Sequence, residues 1–329
     1  MSTTKELVIE MLKTLGVDIN HLLSEDVARI QVHKNKVIGL HLVPGLKVEA
    51  DELEDGVEAN VEIEEGVRIE KPIHLCFGVM PEEGLQRIRL HLRAREGSKS
   101  IILAHCTFPK ARNVKHLMEA DIVVEDNAQY VYYERHVHGP YGGVEVVPHA
   151  KIEVGNNAEF STEFELINGS AGKINFQYEV KSGNFSKVEM TARISGIKED
   201  SIKLDEQVEL IGKESAGVIT SHIAVRDNAI AEVKNTLTAI GPYSKGHVDC
   251  KEIVVGMGKA TAVPVVSVLN PSAHVTHEAA IGSVDAKQLV TLMARGLTED
   301  EATEIIIEGI LSKRHKWGDT IEKFLSSTY

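Results

Sequence analysis

Hydrophobic and polar residues alternate strictly through the middle of the chain, between residues 121 and 284. The clearest runs cover residues 160–166, 174–180 and 188–194, where every second position is apolar or small. A period of two is typical of β-strands with one buried face. No proline occurs between Pro148 and Pro242, so every residue of that segment can donate to a backbone ladder. The pattern predicts a β-helix core over residues 121–284.

The turns of this core resemble one another. Residues 124–128, 154–158 and 225–229 each contain an Asn-Ala pair after a polar residue, and asparagine tolerates the left-handed conformation of tight corners. The first two lie 30 residues apart and the third 71 further on, which predicts two or three coils between them. Such a repeat favours a solenoid with two to three short strands per coil. A β-sandwich with ordinary turns accounts for the alternation alone equally well.

The N-terminal region, residues 1–120, is predicted to be mixed α/β. A helix is expected over residues 3–15, with Thr3 and Glu6 as a capping box, and a second short helix over residues 21–28. The remainder of the region, residues 29–120, contains strand-like runs such as residues 88–94.

The C-terminal region, residues 285–329, is predicted to be helical. Asp285 can cap a helix over residues 286–295, and Thr298 with Glu301 forms a second capping box. After it, an apolar stripe recurs at helical spacing, and a third short helix is expected over residues 319–325. The stripe consists of Ala302, Ile305, Ile306, Gly309 and Ile310. It is expected to pack either on the β-helix or on a partner.

Composition narrows the functional classes. The chain has 329 residues and a net charge of −13, which argues against nucleic acid or an anionic membrane as the main partner. It starts without the apolar core of a signal peptide and has no apolar run long enough to span a membrane, so a cytoplasmic protein is expected. The nucleotide-binding pattern GxxxxGK[ST] is missing from the sequence, which argues against an ATPase.

The three cysteines are too few for a disulfide framework or for a four-thiolate site within one chain. Cys76 and Cys106 are predicted to be small buried hydrophobic residues. His136 and His138 share one face of a strand at metal-ligand spacing. Because the sequence offers no third ligand beside them, we expect a hydrogen-bonded or solvent-facing pair.

The candidate chemistry lies near the C-terminal end of the core. Cys250 is followed one predicted coil later by His277 and Glu278, and a thiolate, an imidazole and a carboxylate together suit iron or sulfur chemistry. Asp249 and His247 are further candidate metal ligands beside Cys250. On a regular strand His277 and Glu278 point to opposite faces, and the sequence favours neither of them.

Residues 246–312 resemble the SufB/SufD family of the SUF system, whose members are scaffolds for iron–sulfur cluster assembly. The resemblance lies in the blocks HVDC (247–250), AHVTHEA (273–279), GSVDAKQL (282–289), MARGL (293–297) and EATEIIIEGIL (301–311). It implies a mainly β fold, a right-handed parallel β-helix with helical regions at its ends. It also implies a SufC-like ABC ATPase as the partner, bound through the C-terminal helices.

The resemblance further implies roles for single residues. Cys250 and Glu278 are placed like the cluster-assembly residues of SufB, and His277 is placed like that of SufD. The chain is therefore closer to SufB, in a short, minimal, archaeal-type form. The expected cargo is a transient cluster, 4Fe-4S, and some members also involve a flavin. The chain lacks the CxxC motif of some SufB proteins, and Cys106 lies too far upstream to match their sulfur-accepting cysteine.

Because one cysteine cannot hold a cluster alone, we expect a homodimer that brings two copies of the site together, or a heterodimer of the SufB/SufD type. Two other functions remain open. The chain could be a structural adaptor that docks the ATPase and has a buried, unreactive Cys250. It could instead be a carbohydrate-active β-helix enzyme, although its acidic residues read as a solvated face: Glu153, Glu159, Glu163 and Glu165.

Overall fold

The computed structural model describes residues 4–14, 19–312, 321 and 323–324. Its helices are α1 (Thr4–Lys13), α2 (Ile19–Leu22), α3 (Ala286–Met293) and α4 (Glu299–Leu311). Its strands are β1 (Arg29–His33), β2 (Lys36–His41), β3 (Leu46–Glu52), β4 (Gly56–Ile63), β5 (Ile73–Gly78), β6 (Glu83–Ala94), β7 (Lys99–Phe108), β8 (Asn113–Val124), β9 (Gln129–His138), β10 (Val144–Val154), β11 (Glu159–Leu166), β12 (Lys173–Ser182), β13 (Lys187–Gly196), β14 (Ser201–Leu210), β15 (Ala216–Val225), β16 (Ile230–Ala239), β17 (Lys245–Val254), β18 (Lys259–Val268) and β19 (His274–Gly282).

The strands form two sheets, and from β4 onward successive strands alternate between them. Sheet A has the order β19-β17-β15-β13-β11-β9-β7-β5-β1-β2, and sheet B has the order β18-β16-β14-β12-β10-β8-β6-β4-β3. From β4 onward, each strand pairs in parallel with the strand two further along the chain. The chain therefore winds as a parallel β-solenoid of about eight turns, which confirms the predicted fold class and excludes the β-sandwich.

The coils are regular in length. Lys99 pairs with Gln129, Gln129 with Glu159, and Glu159 with Lys187, so these coils take 28 to 30 residues each. Each coil contributes one strand to each sheet, at the lower end of the predicted two to three. Because side chains alternate along a strand, one set points into the space between the sheets and forms a continuous apolar core.

Two of the three repeated turns occupy the same corner. Asn127 (φ 60°) lies between β8 and β9, and Asn157 (φ 53°) occupies the equivalent position between β10 and β11. The third turn lies at the opposite corner, between β15 and β16, and there Asp227 (φ 55°) rather than Asn228 is left-handed. The third repeat is therefore offset by half a coil, which the spacing of 71 residues reflects.

Residues 29–120 hold strands β1 to β8 and no helix. The parallel ladders cross residue 120 without a break, because β6 pairs with β8 and β7 with β9. The solenoid thus extends upstream of residue 121, and the division into three regions stays a prediction.

Two predicted helices near the N-terminus have different outcomes. The second lies at Ile19–Leu22 rather than over residues 21–28. It ends early because the Ser24 backbone N–H donates to the His21 carbonyl in a turn and the Ser24 hydroxyl donates to Asp26. Helix α1 is present, but Thr3 of its predicted capping box lies outside the described residues.

Helices from both ends of the chain cover the outer face of sheet A. Near its start, α1 and the C-terminal residues Ile321 and Phe324 pack over Cys76 and Leu103. Further along, α4 packs on Ala224 and Ile253 through side chains of Ile307 and Leu311.

Because these helices cover the outer face of sheet A, one prediction is wrong. Glu163 and Glu165, which were expected in a solvated face, are buried and form ion pairs with the buried Arg193. Arg193 also donates to the carbonyl of Leu311, the last residue of α4. Strand alternation gives the face of a residue, but it does not show whether a helix covers that face.

The C-terminal helices begin as predicted. The Asp285 side chain accepts from the Gln288 backbone at the start of α3, and Thr298 with Glu301 forms a complete capping box on α4. The predicted stripe divides: Ala302 and Ile306 are buried, whereas Ile305 and Gly309 are exposed. Of the predicted third helix, only residues 321, 323 and 324 are described.

Candidate functional site

Cys250 lies in β17, the strand next to the end of sheet A. Its Cα pairs with Ser221 of β15 on one side and with Ala279 of β19 on the other. Its side chain belongs to the interior core and is 1% exposed. Within the described part of the chain, one strand of sheet A, β19, separates Cys250 from the end of the solenoid.

Polar groups surround the Cys250 sulfur inside the solenoid. The Asn235 side-chain amide lies 3.4 Å from it. With the amide oriented so that both of its ends are satisfied, its NH₂ donates to Glu206 at 3.0 Å and its oxygen accepts from Ser221 at 2.6 Å. Glu252, two residues beyond Cys250 on the same face, is buried, and neither of its carboxyl oxygens has a hydrogen-bond partner among the described residues.

Burial sets the protonation states in this group. It raises the pKa of the Cys250 thiol to about 12, with the nearby Glu252 adding to the effect. Burial also raises the pKa of Glu252 to about 7 and that of Glu206 to about 8. In this conformation the Cys250 thiol is therefore protonated at neutral pH, whereas the thiolate is the form that binds metals.

His277 shares the interior side with Cys250. Its Cα pairs with Val248, two residues before Cys250, and alternation along β19 places it on the same side as Val275, which packs against the interior core. His277 itself is exposed, because β19 is the edge strand of sheet A.

Glu278 lies on the opposite, outer side of the same strand. Its Cα pairs with Asp249, while the neighbouring His247 is hydrogen-bonded to Thr276 at 2.8 Å. The sequence-predicted residues therefore divide into two sets, Cys250 with His277 on the inner side and the other three on the outer side.

Asp249 already has a cationic partner and a histidine neighbour. Lys251 donates to its carboxylate at 3.0 Å, and His222 lies 3.6 Å away. Burial acts to raise the pKa of Asp249, but these contacts outweigh it and leave the pKa below its usual value. Asp249 is therefore a weaker candidate for a metal ligand than its position beside Cys250 indicates.

Sequence reasoning missed Glu206, Asn235 and Glu252. Glu252 had a usable signal, since its spacing of two from Cys250 puts both on one strand face. Glu206 and Asn235 come from β14 and β16 of the opposite sheet B, and only the folding of the two sheets onto each other brings them to Cys250.

The other two cysteines are also buried. Cys76 packs under α1, and burial raises its pKa to about 12. Cys106 faces the interior, where its sulfur lies 3.7 Å from His116 Nε2 and 3.6 Å from Glu134. The expected pair His136 and His138 is buried and hydrogen-bonded at 3.2 Å. Its acidic neighbour Glu134 lies two residues before His136 on the same strand face, which was a usable signal, whereas the nearby His116 comes from β8.

A groove separates the two C-terminal helices. Its volume is about 550 Å³, and it is lined by Lys287, Gln288, Thr291, Leu292, Ile305, Ile306, Gly309 and Ile310. Four of the five residues of the predicted stripe line this groove: Ile305, Ile306, Gly309 and Ile310. None of the side chains of α3 is buried, so one side of the groove stands away from the core.

Residues 79–310 match the family model described as SUF system FeS cluster assembly, SufBD core domain. The chain is 36% identical over 313 residues to an iron–sulfur cluster assembly SufBD family protein of Methanocaldococcus jannaschii, covering 94% of this chain and 99% of that protein. It is also 36% identical over 308 residues to a SufBD family protein of Pyrococcus horikoshii, covering 94% of each.

The chain belongs to the SufBD family. This membership supports a role in iron–sulfur cluster assembly. The iron–sulfur cluster assembly protein SufB of Bacillus subtilis is a more distant relative, 22% identical over 261 residues that cover 76% of this chain and 54% of that protein. No helix in the described part of the chain combines the length and apolarity needed to cross a membrane.

Proposed function

We propose that this chain is a scaffold on which a nascent iron–sulfur cluster is assembled at Cys250. The observation that carries the proposal is the placement of Cys250 and His277 on the inner side of adjacent strands, at the end of the solenoid. A thiolate and an imidazole are both ligands of iron in clusters. The cluster, expected to be 4Fe-4S, is the cargo of the scaffold, and mixed ligation favours its later release.

The proposal includes a homodimer formed through the end of the solenoid. Among the described residues no further strand pairs with the outer edges of the terminal strands β18 and β19, and an open edge of this kind normally has a cover. Large apolar side chains are exposed at the same end: Val263, Val268, Leu269 and Ile281. A second copy related by a two-fold axis would cover this surface and bring two Cys250 and two His277 together.

The ABC-type ATPase would dock in the groove between α3 and α4. This groove is largely apolar, and α3 begins shortly after β19 ends, since Gly282 closes the strand and Asp285 caps the helix. A partner that moves α3 would therefore act on β19, the strand that covers Cys250. In this proposal ATP hydrolysis belongs to the partner, and its motion opens the Cys250 surroundings so that the thiol can ionise.

The adaptor remains the second candidate, because the burial of Cys250 is what an adaptor without a site of its own would show. Cysteine alkylation by iodoacetamide, followed by mass spectrometry of each cysteine, separates the two functions. In the scaffold, adding a SufC-type ATPase with ATP accelerates the alkylation of Cys250 at least tenfold.

Cys76 and Cys106 are internal controls in this experiment, because both are buried thiols with raised pKa values. Their reactivity stays unchanged if the motion is local to the end of the solenoid. If Cys250 stays as unreactive as these two in the presence of ATPase and ATP, the adaptor is the correct function. The family match offers no support for a carbohydrate-active enzyme.

A further inference from the structure

A second group of metal-ligand side chains lies inside the solenoid, far from Cys250. Cys106 of β7, His116 of β8 and Glu134 of β9 each place one ligand atom within 4.8 Å of the other two. All three residues are fully buried. Strands β9, β11, β13 and β15 of sheet A separate β7 from β17, which carries Cys250.

The distances within this group match a tetrahedral site. The Cys106 sulfur lies 3.7 Å from His116 Nε2 and 3.6 Å from Glu134 Oε1. Zinc bonds of about 2.3 Å to sulfur and about 2.0–2.1 Å to nitrogen or oxygen give sulfur-to-ligand edges of about 3.5 Å in a tetrahedron. A cation would fit between these three atoms with little side-chain movement.

A hydrogen-bonded chain fixes the ring nitrogens beside Glu134. His138 Nδ1 faces the Ser170 carbonyl at 3.1 Å, so Nδ1 must carry the proton and Nε2 must accept. His136 Nδ1, 3.2 Å from that Nε2, then donates to it. The lone pair of His136 Nε2 therefore points at Glu134 Oε1, 2.7 Å away. A histidine whose outer nitrogen is held in this way is oriented like a metal ligand.

We propose that Cys106, His116 and Glu134, with His136 as the fourth donor, form an interior site for a borderline divalent metal ion such as Zn²⁺ or Fe²⁺. A thiolate with imidazole and carboxylate donors suits these ions, whereas Mg²⁺ and Ca²⁺ prefer oxygen alone. The site is a resident cation site and does not depend on the cluster chemistry proposed for Cys250.

The surroundings of His116 support this assignment. The ring is fully buried, and its Nε2 faces the Cys106 sulfur. His116 Nδ1 has no hydrogen-bond partner among the described residues, so local hydrogen bonding does not explain why this ring is buried. A divalent cation would displace the protons of the Cys106 thiol and the Glu134 carboxyl, leaving a group with no net charge.

Cobalt binding tests the site through the sulfur. The variant Cys76→Ala/Cys250→Ala keeps Cys106 as its sole thiol, and Cys76→Ala/Cys106→Ala keeps Cys250. Each full-length variant is refolded anaerobically with Co²⁺, passed over a desalting column with EDTA, and examined for thiolate-to-cobalt charge-transfer absorption and for metal content. We expect about one Co²⁺ per chain with that absorption in the first variant and neither in the second.

The wild-type chain is also refolded without sulfide, separately with Zn²⁺ and with Fe²⁺. It should keep about one ion per chain after the desalting column with EDTA, and His116→Ala should keep less than a tenth of that. Equal metal retention by the two double variants, or wild-type chain that folds and retains no metal, would overturn the proposal. Because sulfide and the ATPase are left out, failure here leaves the Cys250 proposal standing, and failure at Cys250 leaves this one standing.

Discussion

Cys250 and His277 face the same side of sheet A on adjacent strands, with His277 paired to the residue two positions before Cys250. Glu278, although next to His277 in sequence, pairs with Asp249 and faces the other side. The alternation of side chains along the strands thus places His277 on the Cys250 side and Glu278 on the other, whereas the sequence favoured neither of them as a site residue. The inner pair lies at the open end of the solenoid, where a second copy can approach.

This geometry predicts unequal effects of two neighbouring substitutions. His277→Ala removes a side chain on the Cys250 side and should lower the iron and sulfide bound by the reconstituted chain at least threefold. Glu278→Ala removes a side chain on the outer side and should lower the bound iron and sulfide less than about 1.5-fold. Both residues are exposed, so neither change should disturb folding, which circular dichroism checks. A larger effect of Glu278→Ala would place the cluster on the outer side.

The buried carboxyl of Glu206 predicts a pH dependence of stability. Its folded-state pKa of about 8 lies above the unfolded value of about 4.3, so its contribution is fully present below about pH 4 and is lost as the pH rises toward 8. Glu206→Gln stays neutral at all pH values and keeps a side chain of nearly the same shape.

The free energy of unfolding of Glu206→Gln, measured by urea denaturation, should therefore fall less than that of wild type between pH 5 and pH 8.5. We expect a difference of up to about 4 kcal/mol, because each pH unit between the unfolded and folded pKa values costs about 1.4 kcal/mol. Glu153→Gln on an exposed position is the control and should follow wild type. Parallel pH profiles for Glu206→Gln and wild type would show that Glu206 ionises freely in the folded chain.

The buried Arg193 predicts a strong link between α4 and the solenoid. Arg193→Met leaves the buried Glu163 without its cation, leaves Glu165 with Arg135 as its cationic partner, and removes the bond to the Leu311 carbonyl, so it should destabilise the chain by about 3–5 kcal/mol. Arg226, which pairs with Glu304 of α4 closer to solvent, is the matched control, and Arg226→Met should cost about 1 kcal/mol or less.

Urea denaturation measures both values, and limited proteolysis reports whether α4 is released. Faster cleavage in α4 is expected for Arg193→Met and not for Arg226→Met. Equal stabilities of the two variants would mean that the apolar contacts of Ile307 and Leu311 alone hold the helix.

The exposed end of the solenoid predicts a self-association surface. Leu269→Glu and Ile281→Lys place charges on apolar side chains that are 69% and 48% exposed, and each should weaken dimerisation at least tenfold in sedimentation equilibrium. Leu85→Glu, on an exposed residue of the distant strand β6, should leave it unchanged. A wild-type chain that stays monomeric in the presence of its ATPase partner would contradict the proposed homodimer.

The architecture was predictable because alternation and turn spacing are local properties of the sequence. The strands from residue 29 to 120 carry the same signal, but their outer faces hold apolar residues such as Leu103 that contact α1, which blurs the alternation. The capping boxes also depend on neighbours within one helical turn, and the one formed by Thr298 and Glu301 was correct.

The surroundings of the candidate site were less predictable. Asn235 lies about half a coil from Cys250 in sequence and Glu206 more than one coil, and their contact depends on the register between two sheets. The same applies to Cys106, whose partners His116 and Glu134 come from the two following strands. Composition and spacing identify ligand types, whereas register decides which of them meet.

The most direct test of the central proposal is anaerobic reconstitution with iron, sulfide and a SufC-type ATPase, using wild type, Cys250→Ala and, as a matched buried-thiol control, Cys76→Ala. Iron, acid-labile sulfide and visible absorption are measured after gel filtration. We predict about one cluster per dimer for wild type and Cys76→Ala, and less than a tenth of that for Cys250→Ala. Equal loading of all three chains, or a wild-type chain that binds no cluster, would contradict the assignment of Cys250 as the assembly site.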